Sequence, residues 1–181
     1  MRIALVHDWL TGMRGGEKCL EVLCRRFPDA RLFTLLHVAG STSPAIERMQ
    51  ITTSFLQRFP GVRRHYRYLL PLMPAAVERL KIPDECDLVV SLSHAVAKSV
   101  EPPPGVPHVC YCFTPMRYAW QRRSDYFVAS GRVRNATMGT ARNMLLDWIR
   151  QWDQGSSDRV SHFVAISRTV AKRIAESYGR P

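Results

Sequence analysis

"MRIALVHDWLTGMRGGEKCLEVLCRRF", residues 1–27, reads as a strand, a glycine-bearing loop and a helix, in that order. Arg2 to His7 is a short, mostly apolar run, the pattern of a strand buried on both faces of a parallel sheet. "GGEKCLEVLCRRF" is amphipathic, with Cys19, Leu20, Leu23, Cys24 and Phe27 at helical spacing along one face. Pro28-Asp29 closes the helix. A strand that enters a helix through two adjacent glycines is the opening unit of many α/β folds, and the rest of the chain repeats its alternation.

"ARLFTLLH" (30–37) reads as a second strand and "QITTS" (50–54) as a short third. Residues 55–80 carry a helical pattern broken by Pro60, Pro71 and Pro74. "DLVVSLS" (87–93) is a fourth strand ending at His94, and "PHVCYCFT" (107–114) a fifth. A long helix is predicted over 133–154, with an apolar stripe of Met138, Ala141, Leu145, Trp148 and Trp152. "SHFVAIS" (161–167) is a sixth strand, and Ser167 caps a last helix that Gly179 closes. The fold expected is α/β: one Rossmann-like domain over residues 1–181, a parallel sheet with helices on both faces. Ligands of such sheets bind beyond the carboxyl ends of the strands. That rule selects the loop after His7, Ser93-His94 and Phe113-Thr114.

Composition fits one globular domain of 181 residues, with 46% hydrophobic and 23% charged residues. No apolar run approaches the roughly 20 residues of a membrane-spanning helix. The start of the chain makes a poor signal peptide, because Asp8 follows the strand directly. Five cysteines, an odd number, favour reduced cytoplasmic thiols. Cys110 and Cys112 read as buried small hydrophobes, since no second pair has metal-ligand spacing. The net charge of +11, with 22 of the 26 basic residues Arg, points to an anionic partner.

Four stretches carry candidate chemistry. In "MRGGEK", Gly15 and Gly16 let backbone approach a ligand, and the free amides and dipole of a helix start favour an anion. The loop matches neither G-x-G-x-x-G nor the Walker pattern, and a ligand-free turn needing positive φ is the competing reading. His94 emerges at the rim of the sheet, where an imidazole can accept a proton or bond a sugar hydroxyl, or be merely structural. In "CYCFTPMRYAW", Thr114 and Arg117 sit among aromatics, an arrangement suited to a phosphate or sugar ring and equally to packing on the long helix. Between Glu47 and Glu78 there is no acidic residue, while Arg58, Arg63, Arg64, Arg67 and Tyr68 mix charge with rings. That mixture suits an anionic membrane surface, a solvated helix face or nucleic acid, although no nucleic-acid module is recognisable.

Taken together, "MRIALVHDWLTGMRGGEKCLEVL", "LPLMPAAVERL", "DLVVSLSHAVAKSV", "CYCFTPMRYAW" and "FVAISRTVAKRI" resemble the N-terminal domain of glycosyltransferase family 4 enzymes. The mannosyltransferase-like members that build bacterial surface polysaccharides are the most similar. The resemblance implies the N-terminal, acceptor-side half of a GT-B fold and a retaining transfer from a nucleotide sugar, usually without metal or other cofactor. It implies that Gly15 and Gly16 approach the donor diphosphate, that His94 is catalytic beside the reacting sugar, and that Thr114 and Arg117 contact acceptor or sugar. The stretch containing Arg58, Arg63, Arg64, Arg67 and Tyr68 would then face the inner surface of the membrane, which carries a lipid-linked glycan acceptor. The expected location is therefore cytoplasmic and peripheral.

Two departures qualify the resemblance. Phe113 stands where the family commonly has His, and Phe can neither donate nor accept a hydrogen bond. The sequence also ends at Pro181, so a donor-binding C-terminal domain with paired glutamates is not in this chain. The expected consequence is negligible transfer by these residues alone. The alternative is a non-catalytic module that binds an anionic membrane or a separate C-terminal half. A nicotinamide-binding domain is disfavoured because its glycine fingerprint is missing.

Overall fold

The computed structural model describes residues 1–120 and 136–180; the side chains of 136–139 and 141–142 lie outside that description. Six strands form one parallel sheet in the order β3-β2-β1-β4-β5-β6. They are β1 (Ile3–His7), β2 (Arg31–Thr34), β3 (Gln50–Thr53), β4 (Leu88–Ser93), β5 (His108–Cys112) and β6 (His162–Ala165). Register runs straight across the centre: Leu5 lies beside Leu32 and Val90, Val90 beside Val109, and Tyr111 beside Val164.

Alternation along the strands sorts the core into two faces. On one, Ile3, Leu5, Leu32 and Leu92 meet α1 (Gly15–Arg26), through Leu20 and Cys24, and α2 (Pro44–Glu47), through Ile46. On the other, Ala4, Val6, Phe33 and Val89 meet Met73, Ala76 and Val77 of α4 (Met73–Glu78) and Leu146 and Ile149 of α6 (Ala136–Gly155). Cys110 and Cys112 are buried beneath Val170, Ile174 and Tyr178 of α7 (Arg168–Tyr178). Each fully buried Leu or Val stabilises the fold by about 1.5–3 kcal/mol. The caps of α7 are those the sequence predicts. Ser167 Oγ accepts the Val170 N–H at 3.2 Å, and Gly179 at φ 66° returns its N–H to Ala175 O.

Three expectations change. β2 stops at Thr34 although the apolar run continues. Leu35 and Leu36 are buried beside the chain that leaves β1, where Leu10 N–H bonds Leu36 O and Leu35 N–H bonds Asp8 O. Residues 55–80 form short pieces: 3₁₀ turns at Phe55–Arg58 and Tyr66–Leu72, a single turn α3 (Val62–His65), and α4. The prolines prevent longer continuity. In α6 the buried positions are Leu146, Ile149 and Asp153, while Trp148 is 47% exposed. Residues 133–135, and the side chains of Met138 and Ala141, lie outside the described residues.

A buried histidine gives the fold a pH dependence. His108, at the start of β5, donates Nδ1–H to Arg159 O at 3.1 Å and accepts from Ser91 Oγ at 2.8 Å. Burial, with Lys98 nearby, pushes its pKa down to about 4, against the pull of the Arg159 carbonyl. The unfolded chain, at about 6.5, therefore binds this proton first. Stability from His108 is full above about pH 6.5 and declines by up to about 3 kcal/mol on acidification to pH 4. Melts of His108→Gln should show a shallower loss over that window than the parent. Parallel curves would refute the assignment.

Candidate functional site

The strand ends converge on one cavity. β1 delivers Asp8 and Trp9, β4 delivers His94, and β5 delivers Phe113 and Thr114. α5 (Arg117–Trp120) adds Arg117 and Tyr118, the residue after β6 adds Ile166, and the start of α1 adds Arg14, Gly15, Gly16 and Glu17. The cavity measures about 590 Å³. Gly15, Gly16, His94, Thr114 and Arg117, scattered over a hundred residues of sequence, all line it. Arg58, Arg63, Arg64, Arg67 and Tyr68 do not. They lie exposed on the neighbouring segment, which is held in the core by Leu56, Val62, Tyr66 and Leu70. Tyr66 packs on Trp9 at 5.2 Å between ring centroids, and Trp9 stands edge-on to His94 at 4.6 Å. Two ring contacts thus join the basic segment to the cavity wall.

The glycine loop differs from a positive-φ turn. Among the loop glycines it is Gly12 that takes positive φ, at 150°. Gly16 serves close approach: a Cβ there would meet His7 Cε1 and Phe113 Cε2, each at 3.3 Å. Nothing lies within 4 Å of a Cβ on Gly15. Glu17, buried in the first turn of α1, accepts the Arg14 N–H at 3.1 Å, and Lys18 N–H bonds Arg14 O. The amides of Gly15, Gly16 and Glu17 have no acceptor within the helix, as at any helix start.

Two histidine contacts fix the strand ends, one fully buried at His7 and one part-exposed at His94. His7 donates Nδ1–H to Leu92 O at 3.0 Å, and its Nε2 lies 4.0 Å from Glu17 Oε1. Burial holds its pKa below the usual histidine range, although Asp8 and Glu17 pull upward. His94 Nδ1 lies 2.9 Å from Asp8 Oδ2. Burial works against charge on this ring, yet Asp8 dominates and its pKa is raised. Burial likewise opposes charge on Asp8, but the His94 ring and the backbone donors hold its carboxyl well below the usual range.

Thr114 lines the cavity, and its hydroxyl is buried with no hydrogen-bond partner among the described residues. Arg14, Arg117 and His94 share the cavity lining with the rings of Trp9, Tyr111, Phe113 and Tyr118. Phe113 lies edge-on to Tyr111 at 5.5 Å and against Gly16, so this part of the wall is apolar. Sequence reasoning passed over Asp8, His7 and Trp9. The signal that finds His94, a polar side chain at the carboxyl end of a buried strand, applies equally to Asp8. A second cavity of about 340 Å³ lies at the amino ends of the strands, lined by Arg2, Phe27, Pro83 and Glu85. None of the predicted site residues reaches it. Among the described residues no cluster of His, Cys, Asp or Glu has the geometry to hold a metal, and no helix is long and apolar enough to cross a membrane.

No family model matches the chain, and no curated protein does. Among solved structures it is similar to a lipopolysaccharide outer core galactosyltransferase, WaaB, in its apo form. The TM-score is 0.47, with 11% identity over 98% of this chain. The chain spans 42% of the length of that structure's chain.

Proposed function

We propose that this chain forms the acceptor-side half of a retaining glycosyltransferase. It would take a sugar from a nucleotide sugar, without a metal or other cofactor, to a lipid-linked glycan on the cytoplasmic face of a membrane. The observation that carries the reading is the convergence on one cavity of Arg14, Arg117, His94, the start of α1 and Thr114, together with the rings of Trp9, Tyr111, Phe113 and Tyr118. Cations and amides suit a diphosphate, and rings with a hydroxyl suit a sugar. The whole-length sequence resemblance supports the same chemistry. In this reading Gly15 and Gly16 admit the diphosphate, His94 lies by the reacting sugar, and Thr114 and Arg117 orient sugar or acceptor. The basic segment of Arg58, Arg63, Arg64, Arg67 and Tyr68 rests on anionic headgroups, joined to the cavity through Tyr66 and Trp9.

Titration of UDP- and GDP-sugars against the parent and Gly16→Val tests the reading. A valine here meets the edges of His7 and Phe113, so it must push the α1 start out of place, a cost of about 1–3 kcal/mol in overpacking. The parent should bind weakly and the variant at least about tenfold more weakly. Equal binding by both removes the loop from the site. The apolar Phe113 also supports a second reading, a non-catalytic module that docks on the membrane. That reading requires vesicle binding with no affinity for any nucleotide sugar.

A further inference from the structure

A fully buried carboxylate lies behind the cavity wall. Asp8 accepts four backbone N–H groups: His94 and Ala95 at Oδ2 (2.7 and 3.1 Å), and Val96 and Ala97 at Oδ1 (2.7 Å each). These bonds shape the turn after β4. The fifth contact is of another kind, because the His94 ring takes no part in that turn. An ionised carboxylate only accepts, so the His94 nitrogen 2.9 Å away must be Nδ1–H. Nε2 is then the ring nitrogen left for the cavity that His94 lines. Trp9, edge-on at 4.6 Å, and His7, at 6.2 Å, flank the ring and limit its rotation.

We propose that Asp8 is the positioning residue of this site: its carboxylate fixes the His94 ring with Nδ1–H inward and presents Nε2–H as a charged donor to a phosphate of the ligand. This rests on the reading of the cavity as an anion site. The groups facing His94 are Asp8 and His7 from the end of β1, Glu17 from α1 and Arg117 from α5, with Arg14 on the same cavity. Three cations, Arg14, Arg117 and His94, stand against two carboxylates, Asp8 and Glu17. Loss of the His94 proton therefore cancels the surplus positive charge that draws an anion. Because Asp8 raises the His94 pKa, that charge persists to higher pH than on a free imidazole and is lost as pH climbs through the raised value.

The test reads the ring and the ligand separately. Long-range proton–nitrogen spectra of the histidine rings, on the 181-residue chain, follow His94 in the parent and in Asp8→Asn. Inorganic pyrophosphate is titrated against both, and against His94→Gln, from about pH 6 to about pH 9. In the parent, His94 should titrate above the ordinary histidine value, and pyrophosphate affinity should fall about tenfold across that transition. In Asp8→Asn, His94 should titrate at least about one pH unit lower, lose its fixed Nδ1–H form, and the protein should bind pyrophosphate about tenfold more weakly at pH 7. His94→Gln leaves Asp8 its four backbone bonds and should bind weakly, keeping only the pH dependence of pyrophosphate's own ionisation, which is subtracted from the parent's; it stands in for Asp8→Asn should that chain not fold. A merely structural Asp8 would leave the His94 titration and tautomer unchanged in a folded Asp8→Asn, which overturns the proposal. So does pH-independent binding by the parent. Absence of pyrophosphate binding at every pH overturns the anion-site reading and the phosphate contact of Nε2, while the ring spectra still answer for Asp8.

Discussion

Asp153→Ala should lower the stability of this domain by about 3–5 kcal/mol, the cost of stranding a buried charge. Lys98 and Asp153 are both fully buried. The Lys98 ammonium lies 3.1 Å from Asp153 Oδ1, donates to Asp153 O at 2.7 Å and to Ser156 Oγ at 3.1 Å, and sits 4.7 Å from the centre of the Tyr178 ring. The other Asp153 oxygen accepts from Trp120 Nε1 at 2.7 Å and from Tyr178 OH at 3.0 Å. Burial and the Asp153 charge push the Tyr178 pKa well above its usual value, so the phenol remains a donor. One carboxylate thus joins the turn after β4, α5, α6 and α7. Alanine leaves an indole and a phenol without their acceptor and a buried ammonium without its counter-charge. A domain of this size holds about 5–15 kcal/mol in total and loses about 2–4 °C per kcal/mol. The melting temperature should therefore fall by roughly 6–20 °C. Lys98→Met combined with Asp153→Asn should recover much of the loss, because the charge disappears while Asn still offers one oxygen. A drop below about 1 kcal/mol for Asp153→Ala shows that water enters to solvate the pair.

None of that network is visible in the sequence. "AVAKSV" offers a lone Lys among apolar residues with no partner nearby in sequence, and Asp153 follows Trp152 on a helix whose apolar stripe puts Trp148 inside. Burial runs the other way: Trp148 is 47% exposed, while Asp153 is fully buried in its salt bridge with Lys98. The strands were legible for a definite reason. Parallel strands buried on both faces need largely apolar runs, and such runs mark the inner strands β1, β2, β4 and β5, whereas the edge strands β3 and β6 alternate exposed and half-buried residues. The strand ends were less legible. Leu35 and Leu36 stay buried after leaving the sheet, so apolarity alone overruns the boundary of β2. Of the site, the carboxyl-end rule found His94, Thr114 and the glycine loop, since it depends only on strand direction. The same rule reaches Asp8, but Asp8 works by bonding four amides some 86–89 residues away, and such partners depend on which strands neighbour each other. The reason for Gly16 is hidden in the same way. Its constraint is the ring of Phe113, almost a hundred residues distant.

The chain should float with vesicles containing anionic lipid and remain behind with neutral ones. Phe59, Tyr68 and Leu72 are 40%, 58% and 38% exposed, although the segment that bears them is anchored in the core by Leu56, Val62, Tyr66 and Leu70. The exposed rings are therefore held at the surface by folding. Around them stand Arg58, Arg63 and Arg64, all exposed, and Arg67, whose guanidinium rests over Tyr66 at 5.7 Å. Each Arg near an acidic surface contributes about 1 kcal/mol, so Arg58→Ala, Arg63→Ala and Arg64→Ala together should weaken partitioning by about 3 kcal/mol, roughly 150-fold. Raising salt from about 0.1 M to about 1 M shortens the screening length from about 10 Å to about 3 Å and should release most of the parent as well. Equal flotation with neutral vesicles, or flotation indifferent to salt, rules out electrostatic docking, and displacement by duplex DNA more readily than by anionic lipid assigns the surface to nucleic acid. On its inner side Tyr66 touches Trp9, and Trp9 touches His94, so the folding that holds the exposed rings at the surface also ties this segment to the cavity wall through two ring contacts.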